Sequence, residues 1–311
     1  MVGELSTSVV GNERCRQRPL AVVVLLLLTF AAFGRTLLTG EWISDDYPFI
    51  FNNPSVFAGM DIELRQLALA WWEPVATLYV PVACNAWWLI SVPSRVLSDG
   101  NIHPFPFHLA NLLVHWSNSL LVFAIVRRFV DARYALVAAA VFAVHPIQTE
   151  AVSWASMLKD LLAATMLFSS MLLYLQMHER TDTRACYLAS LLLAWFATMS
   201  KPGAVVIGPC LLILEWLKGE TSFRRAAIRV IPFFLLAIPA AIITLQVQPA
   251  TEIWEPPILL RPWVAAYSVV HYLWTLIFPV GLTSDYGIKP LWIVVSDAGI
   301  IATLILAGLL A

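Results

Sequence analysis

The sequence predicts an all-α, polytopic membrane protein, and three observations carry that prediction. Hydrophobic residues make up 60% of the 311-residue chain. Only 13% are charged, against roughly 25% in soluble proteins, and the mean hydropathy is +0.78. Apolar stretches long enough to cross a bilayer recur between clusters of Lys and Arg.

The elements follow in order. Residues 1–18 form a cytoplasmic tail carrying Arg14, Arg16 and Arg18. The run from Leu20 to Leu38 is apolar except for Thr29, Arg35 and Thr36, and at ~1.5 Å per residue it crosses a hydrocarbon core of ~30 Å. It is too long for a signal-peptide core, no small-residue cleavage site follows it, and more spans come after, so it reads as a signal anchor. Basic clusters at Arg127, Arg128 and Arg133, at Arg180 and Arg184, and at Lys218, Arg224, Arg225 and Arg229 mark inner loops. The alternation places spans near 19–38, 106–126, 134–152, 159–177, 185–200, 203–217 and 230–246.

Between the first two spans lies an outer loop of residues 39–106, long enough to have structure of its own. In it, 61–72 sets Ile62, Leu64, Leu67, Ala68 and Trp71 at helical spacing, and 79–97 repeats the mixture around Trp87 and Trp88. Amphipathic helices with Trp at the boundary suit the headgroup region, and an extracellular mini-domain with an ordinary core is the alternative. Residues 249–262 form a proline-rich outer loop, and 263–282 are apolar but studded with Trp, Tyr and His, fitting either a span or an interfacial helix. The chain ends inside a fresh apolar run from Ile293, which predicts a C-terminally truncated piece of a longer protein. Residues 19–311 thus form one transmembrane domain.

A formal charge of -1 with no basic patch gives no nucleic-acid footprint. Cys15, Cys84, Cys186 and Cys210 fall in different spans and loops, so neither a disulfide framework nor a zinc site is expected.

The most informative feature is Asp45-Asp46, a carboxylate pair just beyond the first span. The second span has a polar seam, His108, Asn111, His115 and Asn118, at spacings of 3, 4 and 3 along one helix face. The two histidines are separated by ~10 Å of rise, too far for one ion to bind both at ~2 Å, so interhelical hydrogen bonding is the simpler reading. His108, near the outer end, is the exception that a functional role would pick. His145 to Glu150 with Trp154, then Lys159-Asp160, then Ser200-Lys201-Pro202 cluster at the outer ends of later spans, on the side of Asp45 and Asp46. Ionisable groups near a bilayer are normally paired or functional. Singly, Lys159 and Asp160 read equally well as neutralising each other, and Lys201 as snorkelling to water.

The ordered series Asp45-Asp46, Asn52-Asn53-Pro54, Phe107-His108-Leu109-Ala110-Asn111 to His115, His145-Pro146 to Glu150 and Trp154, Lys159-Asp160-Leu161 and Ser200-Lys201-Pro202 resembles a known family. Its members join a GT-C glycosyltransferase module to C-terminal tetratricopeptide repeats, and the eukaryotic ones are protein O-mannosyltransferases of the secretory pathway. The resemblance covers roughly 42–286. It departs in two respects: no repeat region is present, and Gly203 follows Pro202 where an acidic residue is expected near the lysine.

The resemblance implies a GT-C-like helix bundle that moves a sugar, by inversion, from a polyprenyl-phosphate donor to an acceptor hydroxyl on a protein or glycan at the non-cytoplasmic face. It gives Asp45 as base, with Asp46 orienting it, binding a metal or being the base itself. A phosphate leaving group departs without protonation, so one base suffices, but it needs positive charge, for which Lys159, Lys201 or a divalent cation (Mg²⁺ or Mn²⁺) are the alternatives. Glu150 becomes a supporting acid, His145 a phosphate- or acceptor-side group, and Tyr286 an acceptor-side element. Asp160 and His108 complete the expected substrate-binding set. The membrane is a bacterial plasma membrane or the endoplasmic reticulum. The competing class is a non-catalytic anchor or scaffold, or a carrier of lipid-linked sugars. A carrier would spread polar residues across the bilayer, whereas here they gather on one side.

Overall fold

The computed structural model describes residues 19–56, 63–177, 183–219, 222–247, 256–283 and 286–310. The basic tail, Asp61, Ile62, Arg180 and Asp285 lie outside them. Among the described residues the chain is helical with no strand, and one isolated bridge joins Val75 to Leu78. Two units form, Met1–Gln248 and Pro249–Ala311.

In the first unit α1 (Pro19–Phe33) ends at Gly34, and α2 (Thr36–Thr39) continues after a turn. The expected span 19–38 is therefore a broken helix, as a glycine poor in helix propensity allows. A π-helical turn at Tyr47–Phe51 follows the acidic pair. Helix α3 covers only Arg65–Leu69, shorter than the helix expected to reach Trp72, and the chain turns through Trp71, Trp72 and Glu73 ahead of Pro74. Helix α4 (Pro81–Leu97) begins on a proline, whose missing N–H is unneeded at that position.

Helix α5 (Pro104–Val126) carries the polar seam. The third expected span is bent by 47° between α6 (Ala132–Val144) and the segment Pro146–Ser153, which includes α7 (Thr149–Ser153). The bend falls at His145-Pro146, where proline disfavours helical backbone in the residue before it. Helices α8 (Leu158–Gln176), α9 (Thr183–Ser200), α10 (Ile207–Lys218), α11 (Phe223–Leu235) and α12 (Ala237–Val247) complete the unit. The last two form one stretch that starts seven residues before the expected 230. Among the described residues three helices, Pro104–Val126, Ala155–Gln176 and Phe223–Val247, are long and apolar enough to cross a membrane, or four if the bent pair is one span. That is fewer than the seven expected spans: α1 is short, and α9 and α10 do not join the set.

Helix α8 packs along α5 and α9, and α6 along α5. Ala135, Ala139 and Ala143 are fully buried at four-residue spacing on α6, beside Leu25 and Phe123; such small residues let helices approach closely. A second cluster joins Tyr174, Leu175, Ile207, Leu211, Val230 and Phe233 across α8, α10 and α11. A third packs the outer loop onto the bundle: Phe49, Ile50 and Val56 meet Trp87 of α4, Phe107 of α5 and Leu158 of α8. The Trp87 indole N–H donates to the Ala155 carbonyl at 3.3 Å, and Trp88 donates to Gln66 Oε1 at 2.7 Å. The loop thus has an ordinary core fixed to the helices.

In the second unit α13 (Arg261–Ile277) packs against α15 (Ala298–Leu310), with α14 (Pro290–Val295) between them in sequence. Helix α13 spans 17 residues and is not among the helices long and apolar enough to cross a membrane.

Candidate active site

The acidic pair is built by a turn that reverses the chain after α2. Ser44 has φ of +37°, a left-handed conformation uncommon for a residue with a side chain. It directs two adjacent carboxylates into different environments. Asp46 is fully buried. Its Oδ2 accepts from the Ile43 N–H at 3.1 Å and its Oδ1 from the Ser156 N–H at 2.7 Å. Asp45 is half-buried, and no hydrogen bond of its carboxylate is seen among the described residues.

Asn53 steadies the π-helical turn that follows. Its Nδ2 donates to the Phe49 carbonyl at 2.8 Å, and its Oδ1 accepts from the Ser55 N–H at 2.9 Å. The same Nδ2 lies 3.7 Å from Cys84 Sγ. Burial pushes the Cys84 thiol up to about 12. Burial also lowers the guanidinium of Arg95, which donates to the Val56 carbonyl.

Ser156 ties the acid to the nearest cation. Its N–H holds Asp46, and its carbonyl accepts from Lys159 Nζ at 3.1 Å. Lys159 is 4% exposed. Its ammonium also contacts Met157 Sδ at 3.5 Å and stands 4.8 Å from the centre of the Phe49 ring. Asp160, Asp45 and Asp46 attract it through space, and Lys201 repels it. Asp160 itself is ion-paired with Lys201. Lys159 and Asp160 therefore do not form the mutual pair that adjacency suggests, and Lys201 is tethered to a carboxylate. The acid missing beside Pro202 is supplied by α8. Ser200 Oγ closes the same junction on the Lys159 carbonyl at 2.8 Å.

The polar seam of α5 divides. Asn111 Nδ2 donates to the carbonyls of Trp154 at 2.6 Å and Val152 at 3.2 Å. His115 Nε2 lies 3.1 Å from the Ala143 carbonyl, and Asn118 Nδ2 donates to the Leu161 carbonyl at 2.9 Å. These three hold helices together. His108 is 1% exposed, and neither ring nitrogen makes a hydrogen bond among the described residues. The backbones of Glu41 and Ser153 lie against the ring without meeting that geometry, and Asp46 is the charge acting on it. Gly40 is packed on the same ring: a Cβ there would stand 2.4 Å from His108 Cδ2 and 2.3 Å from the Thr36 carbonyl oxygen.

The remaining candidates have contacts of their own. His145 Nδ1 accepts from the Ile147 N–H at 3.2 Å, capping the turn at the bend. Glu150 is exposed on α7, and no hydrogen bond or ion pair joins it to the Asp46 cluster among the described residues. Tyr286 is in the second unit, with its ring edge-on to His271 at 4.8 Å. Among the described residues no group of three or more His, Cys, Asp or Glu side chains is arranged to hold a metal ion. Ser156, Phe49 and Gly40 were not singled out by the sequence. Ser156 acts mainly through its backbone, so its side chain gave no signal. Gly40, a lone glycine between an apolar span and an acidic pair, gave a weak one.

The family model described as dolichyl-phosphate-mannose-protein mannosyltransferase matches residues 82–247, more than half of the chain. The chain is 28% identical over 282 residues to protein O-mannosyl-transferase Tmtc2 of Drosophila melanogaster, covering 85% of this chain and 30% of that protein. It is 28% identical over 215 residues to protein O-mannosyl-transferase TMTC1 of Mus musculus, covering 65% and 23%. With TMTC4 of Mus musculus, also a protein O-mannosyl-transferase, the identity is 34% over 178 residues, covering 53% and 24%. The chain spans 23% to 30% of the length of these relatives. The match across 82–247 establishes that the chain belongs to the dolichyl-phosphate-mannose-protein mannosyltransferase family.

Proposed function

We propose that this chain carries the catalytic centre of a membrane glycosyltransferase. It moves a sugar from a polyprenyl-phosphate donor to an acceptor hydroxyl, with protein Ser or Thr as the first candidate and a glycan as the other, on the non-cytoplasmic face. Mannose is the sugar named in the matching family and its relatives. The resemblance to secretory-pathway mannosyltransferases favours the endoplasmic reticulum over a bacterial plasma membrane, and the distribution of Lys and Arg puts the N-terminus in the cytoplasm.

One observation carries the reading: of two adjacent carboxylates, Asp46 has both oxygens engaged by backbone N–H groups, while Asp45 stays half-buried with Lys159 within electrostatic reach. A base must accept a proton from the acceptor hydroxyl, so it needs an accessible oxygen. Asp45 has one. Asp46 fixes the turn that aims it. The hydroxyl oxygen, relieved of its proton by Asp45, attacks the anomeric carbon from the face opposite the phosphate. The carbon–oxygen bond to phosphate breaks, its electron pair leaves with the phosphate, and the anomeric centre inverts. No proton is owed to this leaving group, which explains why one base suffices. The growing negative charge on phosphate is met by a buried ammonium, worth more in low dielectric than in water.

The test uses full-length protein in lipid and measures release of polyprenyl phosphate from a panel of polyprenyl-phosphate sugars. Wild type is expected to turn over a mannosyl donor, and Asp45→Asn to lose about 100-fold or more. Turnover unchanged by Asp45→Asn would take the role of base from Asp45, and turnover absent with every donor from folded protein would replace the transferase reading with that of an anchor or carrier.

A further inference from the structure

We propose that Phe49 is a positioning residue that seats the Lys159 ammonium where it receives the departing phosphate. This rests on the transferase reading above and deepens it.

Lys159 keeps unusual company. A buried ammonium is costly unless a carboxylate or a full set of acceptors surrounds it. It has three N–H donors. One reaches the Ser156 carbonyl at 3.1 Å and another a thioether sulfur at 3.5 Å, which is a weak acceptor. The third environment is the Phe49 ring, at 4.8 Å, within the ~6 Å over which a ring face attracts a cation. Every carboxylate that could have taken the ammonium is otherwise employed or held apart. Asp160 pairs with Lys201, and Asp46 is bonded to backbone. Among the described residues the ammonium makes no ion pair, and the ring is its nearest charge-stabilising face. An anion entering the site meets an ammonium on which Asp160, Asp45 and Asp46 act only through space.

The ring comes from a meaningful place. Phe49 is four residues after Asp45, inside the π-helical turn Tyr47–Phe51, and the Phe49 N–H donates to the Asp45 carbonyl at 3.2 Å. It is 7% exposed and packed against Trp87. One short turn therefore carries both the proposed base and the surface that holds the proposed phosphate ligand. Lys201 does not fill this role, because its charge is committed to Asp160. A flexible lysine without the ring would sample several rotamers, and each would set the phosphate at a different distance from Asp45.

The experiment replaces Phe49 in the full-length protein with phenylalanine analogues bearing one, two and three ring fluorines, which drain the ring face of negative charge with little change of shape. The affinity for polyprenyl monophosphate and the donor KM and kcat are measured in lipid. Donor KM is expected to rise with each fluorine, to about tenfold for the full series. In a Lys159→Met background the same series is expected to be flat, because the ring acts through the ammonium. A flat series in the wild-type background, or an equal slope without Lys159, overturns the assignment while leaving the transferase reading intact. If the unsubstituted protein neither turns over nor binds any polyprenyl-phosphate compound, the transferase reading fails and this inference falls with it.

Discussion

The Oδ1 of Asp46 accepts a hydrogen bond from the backbone N–H of Ser156 at 2.7 Å, joining residues 110 positions apart in the chain. The contact pins the first outer turn to the segment leading into α8, and the Ser156 carbonyl then holds Lys159. Acid and cation are therefore set by the two sides of one residue's backbone.

The two aspartates should fail differently. Asp46→Asn keeps one acceptor oxygen but turns an amide NH₂ toward a backbone N–H. It is expected to lose about 1–3 kcal/mol of stability, as befits a buried donor left without its acceptor. Asp45→Asn should melt with the wild type and lose turnover. Thermal unfolding in detergent with parallel activity assays checks both, and equal stability of the two variants would sink the assignment of the anchoring role.

Gly40→Ala should disturb the site without touching a charged group. The added Cβ would meet the Thr36 carbonyl oxygen at 2.3 Å and the His108 ring at 2.4 Å. Neither the helix backbone nor a buried ring yields freely, so a loss of about 1–3 kcal/mol is expected. A second change, His108→Ala, relieves only the contact with the ring. Melting temperatures of the single and double variants give the answer, and full recovery in the double would show that the Thr36 contact does not matter.

Lys201 should matter through Asp160. Its side chain is 44% exposed, so the pair adds only about 1 kcal/mol or less to stability. Lys201→Met, however, leaves the Asp160 carboxylate unpaired beside Lys159, which it then neutralises. Donor affinity is expected to drop in Lys201→Met and to recover in Lys201→Met/Asp160→Asn. Failure of the second change to restore binding would mean that Lys201 touches the donor directly.

Cys84 offers a probe of the outer loop's core. Its thiol is raised from 9.0 to about 12 by burial, with the Asn53 side chain acting in the opposite sense. Since the folded value lies above the unfolded one, its contribution to stability is intact below about pH 9 and is lost as pH climbs from there towards 12. At pH 8 the folded protein should resist iodoacetamide at Cys84 and react fully once unfolded. Reaction in the folded state at the rate of an exposed thiol would contradict the packing of α4 on the π-helical turn.

The sequence by itself determined the class of the protein, because composition and recurrent apolar runs reflect the demand that backbone polar groups be satisfied internally in lipid. It also picked out Asp45, Asp46, Lys159, Asp160 and Lys201, since charges beside apolar runs are conspicuous in one dimension. It misjudged where helices break: Gly34 interrupts the first span, and His145-Pro146 bends the third by 47°. Pairing was beyond its reach. Lys159 and Asp160 are neighbours on α8, yet Asp160 bonds a lysine 41 residues away while Lys159 rests on an aromatic ring from the outer loop. Which partner each charge takes depends on the packing of α8 against α9 and on the seat of the π-helical turn against α4. Only the tertiary structure fixes these contacts, because adjacent residues on a helix point in different directions and meet different neighbours.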